Sequence, residues 1–173
     1  DFYSANFSYI KKFHQKGHEL KTEFDFGYDK SNELTLTREV ENDIQTGGRR
    51  TKEFGPEKEF EGKLDYTLPL SDKSKFEAGY EGEIEISDES NELSEFNTQS
   101  NMYEVQSQFS NSTKYNESGH SLYSIYSDQF SDLGIQAGIR SEYTFRTIEL
   151  IKQNQEFKID RWDFFPTLHT SYK

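Results

Sequence analysis

From Lys75 to Ile86 the chain alternates without a break. Phe76, Ala78, Tyr80, Gly82, Ile84 and Ile86 share one parity, and Glu77, Gly79, Glu81, Glu83 and Glu85 share the other. Successive side chains of a β-strand point to opposite faces, so a period of two predicts a strand with one apolar or small face and one acidic face. The same pattern returns at Leu20, Phe24, Phe26 and Tyr28, at Phe60, Leu64, Tyr66 and Leu68, and at Ile135, Ala137, Ile139, Tyr143 and Phe145. A sheet built from such strands meets two different surroundings. Its apolar side packs on a protein core, as in a sandwich, or faces lipid, as in an outer-membrane barrel.

Composition separates the two. Hydrophobic residues make up 31% of the 173 residues, and much of that share is aromatic: 15 Phe and 11 Tyr against one Met and one Trp. A core-filled sandwich calls for more Val, Ile and Leu. A barrel wall needs an apolar side chain only at every second position and keeps a polar lumen, so a mean hydropathy of −1.00 suits it. The aromatic content also argues against disorder in a chain of net charge −12. That acidic balance leaves no basic stripe for nucleic acid. Cysteine is absent, which removes disulfides, thiolate nucleophiles and Cys-ligated zinc. No apolar run is long enough for a membrane helix, and no signal peptide opens the chain, so Asp1 reads as a mature terminus or an interior cut.

Along the chain the pattern predicts an antiparallel up-and-down meander of about seven strands. The expected strands run from Phe2 to Phe13, His18 to about Tyr28 with an extension through Leu34, Leu36 and Val40 left open, Glu59 to Leu68, Lys75 to Ile86, Ser121 to Phe130, Ile135 to about Leu150 and Phe164 to Tyr172. Short turns fall at Gln15–Gly17, Ser71–Ser74 and Ser131–Gly134, and long polar loops at 41–56, 87–119 and 151–163, the second with room for an extra hairpin. Alternating short turns and long loops is the habit of outer-membrane barrels, with turns on the periplasmic side and loops outside.

Possible chemistry is sparse. His14 and His18 flank the Gly17 turn, but no carboxylate is fixed beside them, and exposed turn histidines are the simpler reading. Asp88, Glu89, Asn91, Glu92 and Glu95 form an oxygen-rich run without EF-hand spacing. Gly47, Gly48, Arg49 and Arg50 could form an anion-binding nest, yet no strand-to-helix pattern surrounds them. His120 and Ser121 are strand neighbours whose side chains point apart, so they cannot form a nucleophile and base. Glu83 and Glu85 share a face with a whole acidic row, which reads as a solvated lumen stripe. No catalytic residue, cofactor site or metal site is assigned, and the chain is not expected to be an enzyme.

Three segments carry a family resemblance: His120–Phe130 (HSLYSIYSDQF), Gly134–Thr144 (GIQAGIRSEYT) and Asp160–Tyr172 (DRWDFFPTLHTSY). Together they resemble the barrel portion of TonB-dependent outer-membrane receptors, the large nutrient importers of Gram-negative bacteria. The resemblance implies a cell outer membrane location and a plugged barrel of about 22 strands, of which this chain supplies about six to eight neighbouring staves. It further implies as partners membrane lipid, the rest of the barrel, a plug domain, a TonB-type energy-coupling protein and a small-molecule ligand such as a nutrient or metal chelate. Residues 1–173 contain no match to the plug and read as one partial barrel domain. Because the shared motif is a strand motif, no site residue carries over. Two alternatives remain open: a complete eight-stranded barrel with a structural or adhesion role, and a soluble all-β binding module.

Overall fold

The computed structural model describes residues 1–172. All strands lie in one antiparallel sheet: β1 Phe2–Lys12, β2 Glu19–Glu41, β3 Ile44–Pro69, β4 Lys75–Asn97, β5 Met102–Val105, β6 Asn111–Phe130, β7 Leu133–Leu150 and β8 Gln155–Tyr172. Their order is β1-β2-β3-β4-β6-β7-β8, with the short β5 paired to the far end of β4. This is the expected meander, with eight strands in place of about seven. β1 and β8 each keep a free edge, so the sheet does not close within the chain.

The loops expected at 41–56, 87–119 and 151–163 are for the most part strand. β2 and β3 run on as one hairpin to a two-residue turn at Asn42 and Asp43, whose φ values of 52° and 65° are those of a turn matching strand twist. β4 continues to Asn97, β6 begins at Asn111, and β8 begins at Gln155 after a single 3-10 turn, Ile151–Gln153. The apolar alternation fades in these stretches, which is why they read as loops. A ribbon wet on both faces needs no apolar side, since its cross-strand hydrogen bonds and opposite-charge pairs sustain it. Arg49–Glu95 and Lys52–Glu92, each at 3.7 Å, are two such pairs. Pro56 is tolerated because Phe54 pairs with Ser90 and Glu57 with Ser87, while the ladder skips the positions between.

The sheet is one layer thick. Among the described residues no hydrophobic side chain is buried, and the buried residues with polar side chains are Ser87, Ser94, Ser110 and Ser121. Trp162, Phe164 and Leu168 stand 58%, 64% and 69% exposed. A sandwich would cover one of its faces with a second sheet, and nothing covers either face here.

Candidate functional site

The register sorts every strand into two faces. On the apolar face, Phe24 pairs Gly62, Phe26 pairs Phe60 and Tyr28 pairs Lys58 across β2 and β3, and Leu64 pairs Tyr80 across β3 and β4. The row runs on through Leu122, Ser141 and Phe164. Aromatic rings meet across it, with Phe26–Phe60 and Tyr143–Trp162 centroids each 5.0 Å apart. His120 belongs here, its Nδ1 2.7 Å from the Tyr80 hydroxyl. From Leu20 to Tyr28, Phe60 to Leu68, Phe76 to Ile86, Asn116 to Tyr126, Ile135 to Thr147 and Trp162 to Thr170, this face carries no Asp, Glu, Lys or Arg. The stretch from Phe76 to Ile86 on β4 runs about 33 Å along the strand at 3.3 Å per residue, or about 25 Å in height at a tilt of about 40°. That is the height of a barrel's apolar band.

The opposite face is acidic and hydrogen-bonded. Glu59 stands across from Glu85, and Glu61 stands between Asp25 and Glu83. Beyond them the cations of β7 provide compensation. Arg146 clasps Glu117 with two 2.7 Å hydrogen bonds, and Tyr115 donates to the same carboxylate. Arg140 donates to Glu142 at 2.5 Å and reaches Glu81 at 3.4 Å. Tyr123 donates to Asp65 across two strand gaps. Further along this face, where β2, β3, β4 and β6 extend past the apolar band, a cavity of about 510 Å³ is lined by Asp29, Glu53, Glu57, Glu89, Asn91 and Phe109, among others.

None of the sequence candidates assembles a reactive group. His18 stacks on Phe13 at 4.0 Å and lies 3.0 Å from the Tyr66 hydroxyl, so the His14–His18 turn is an aromatic corner rather than a ligand pair. Asp88 and Glu92 lie on one face of β4 and Glu89, Asn91 and Glu95 on the other, so the oxygen-rich run is split. Glu92 and Glu95 pair with Lys52 and Arg49, and Asn91 donates to Glu53 at 3.3 Å. Gly47 to Arg50 are strand residues, not a nest. Arg50 lies over the Tyr103 ring at 5.6 Å and donates to Ser94 at 3.3 Å. His120 and Ser121 face apart as expected. Among the described residues no group of three or more His, Cys, Asp or Glu is placed to hold a metal. Reading the sequence missed the Arg146–Glu117–Tyr115 and Tyr123–Asp65 clusters, because their partners are joined by register rather than by spacing.

At the Glu104 end of the sheet, outside the apolar band, Asn97 and Ser100 donate to the Glu104 carboxylate at 2.9 Å and 2.7 Å. Asn97 first, then Ser100, holds its pKa below the ordinary carboxylate range, against a small opposing effect of burial.

An uncovered apolar band of membrane height, backed by a polar face, defines a wall of an outer-membrane β-barrel. Residues 11–173 match the profile of the outer membrane protein beta-barrel family, and the chain belongs to it. Among solved structures it is similar to the ferric citrate transporter FecA in its unliganded form, at TM-score 0.65 and 11% identity, over 99% of this chain and 25% of that one. The likeness is one of fold, and the chain spans about a quarter of that protein's length. No curated protein matches the chain significantly. The protein is a membrane protein of the cell outer membrane.

Proposed function

We propose that this chain is part of the barrel of a TonB-dependent receptor that takes up a nutrient or a metal chelate. The observation that carries the reading is the two-faced single layer: an uncovered apolar band on one side and a lattice of carboxylates, arginines and tyrosines on the other. In this reading the apolar face meets lipid, while the acidic face lines a lumen filled by a plug domain. β1 and β8 pair with further staves through their free edges, and energy coupling passes through a TonB-type protein. The Asn42, Asn101 and Asn154 ends project outside the cell, and the turns at Gly17, Asp72 and Asp132 lie in the periplasm. The barrel is a conduit, with no catalytic step assigned to it. Support comes from the resemblance of residues 120–173 and from the FecA-like fold. The small closed barrel loses support because β1 and β8 do not pair, and the soluble module because no apolar face is covered.

The test is an uptake profile. Deleting the gene for the protein that carries this chain is expected to abolish growth on one limiting nutrient or chelate, and deleting the energy-coupling protein is expected to abolish the same growth. An unchanged profile in both strains overturns the transporter reading and leaves the barrel wall intact. Orientation is tested separately by a cysteine at Glu41 or Asp72, in a stretch that has none of its own. A membrane-impermeant maleimide on intact cells should label E41C and spare D72C.

A further inference from the structure

The cavity beyond the apolar band is charged with one sign. Asp29 stands across from Glu57, and Glu89 is the diagonal neighbour of both Glu53 and Glu57, so carboxylates surround Gly55 at spacings of about 5–8 Å. Among the described residues none of the four forms an ion pair. From Asp25 to Glu39, Thr51 to Glu61 and Glu77 to Asn97 this face carries no Lys or Arg. Arg49 and Arg146 at its margins are held by Glu95 and Glu117, and Lys152 donates to the Ser107 carbonyl oxygen at 3.4 Å. Two further features of the wall are not acidic. Asn111 Oδ1 is shut off from solvent and has no hydrogen-bond partner among the described residues, so it is an acceptor that an N–H or O–H brought into the cavity would satisfy. Phe109 lines the same space and stays 61% exposed. The Gln106–Ser110 turn holds it there, with the Ser110 hydroxyl accepting from the Leu93 amide at 3.1 Å. Gly55 leaves the floor open, because a Cβ there would run into the Asp88 carbonyl oxygen.

We propose that this cavity binds a solute carrying two or more ammonium groups, of the class of the linear polyamines. A four-carbon chain sets two ammonium groups about 6 Å apart, which matches carboxylates on neighbouring strands. Asn111 Oδ1 accepts from one ammonium N–H, and the Phe109 ring face attracts a further cation. The volume of about 510 Å³ suits a small ligand. An anionic chelate, by contrast, meets no free cation on these walls and is repelled from them. The inference rests on the receptor reading above and gives it a substrate class. Growth profiles test that reading and a binding titration tests this one, so each can fail alone.

The test titrates the full outer-membrane protein with spermidine in neutral detergent at about 0.15 M salt, where long-range attraction is screened, and reads binding by calorimetry. Saturable binding is expected. The double variant E57Q/E89Q should bind about tenfold more weakly, and F109A about threefold more weakly. E89Q alone should lose part of the affinity, which keeps the test readable if the double variant fails to fold. E39Q, on the same face outside the cavity, should bind as the unaltered protein does. Butylamine, with one ammonium group, and citrate should each bind the unaltered protein at least about tenfold more weakly than spermidine. Absence of saturable binding, or equal binding by the folded glutamine variants of the cavity, overturns the proposal. So does an equal loss in E39Q, which would mark a diffuse counterion cloud, or displacement of spermidine by an equal concentration of calcium, which would mark a divalent-cation site.

Discussion

Arg146 and Gly48 show how different physical effects hold single positions. The Arg146 guanidinium grips Glu117 through both of its carboxylate oxygens while Glu59 and Glu85 stand along the same row. Removing the cation leaves a carboxylate among like charges. Arg146→Gln is therefore expected to cost about 1–2 kcal/mol, the partial exposure of both groups keeping it below a fully buried pair. A urea-unfolding midpoint of the folded protein in detergent measures it. Gly48 is held by backbone geometry. Its φ is 152°, and a Cβ there would lie 2.5 Å from the Thr37 carbonyl oxygen. Gly48→Ala should loosen the outer β2–β3 ribbon by about 1–3 kcal/mol, read as faster amide exchange between Leu34 and Thr51 with the band residues unchanged. Leu122 tests the face itself. It lies near mid-height, so Leu122→Arg should destabilise by about 2–4 kcal/mol in bilayers, while Glu61→Gln on the other face should be near neutral. Equal costs at the two positions would contradict the assignment of faces.

The elements are longer than a membrane requires. β3 has 26 residues, while a spanning strand needs about 9–11. More than half of it is ribbon beyond the band, held by register and ion pairs. The β4–β5 hairpin is the local case, fastened by Asn97 and Ser100 on Glu104. Since the folded Glu104 has a lowered pKa, its contribution is present above the ordinary carboxylate value and is lost as pH falls through the lowered one. The protection of the Tyr103 and Val105 amides, taken relative to their intrinsic exchange rates at each pH, should therefore be constant at pH values well above the ordinary carboxylate range and fall relative to that of the β2–β3 ribbon as Glu104 protonates. Glu104→Gln should remove that pH dependence. Element boundaries were legible where the apolar parity was strong: Lys75, Phe130 and Leu150 fall where the sequence puts them. They were illegible from Glu41 to Pro56 and beyond Ile86, where a ribbon wet on both sides carries the same Ser, Asn, Glu and Thr as a loop, whereas Leu34, Leu36 and Val40 already hinted that β2 continues past Tyr28.

As a whole the molecule is a wall rather than a globule. It has no buried hydrophobic side chain among its described residues, and its stability belongs to the bilayer and to whatever pairs with the edges of β1 and β8. The full protein is expected to hold its β-rich circular dichroism in detergent or lipid and to aggregate on dilution into plain buffer. A monodisperse, folded state without amphiphile would refute lipid contact along the apolar face.

Residue order alone determined the two faces, because a period of two is local and needs no knowledge of neighbours. It also determined the meander and its short turns, and it ruled against a thiol site or a nucleic-acid surface. The tertiary structure decided what lies beside what. Pairing set Arg146 on Glu117, brought Tyr123 within reach of Asp65 two strands away, and matched Arg49 with Glu95 and Lys52 with Glu92. Such neighbours are tens of residues apart in the chain, and only the register of hydrogen-bonded strands, fixed jointly by the turns and by the face each strand keeps toward lipid, brings them together.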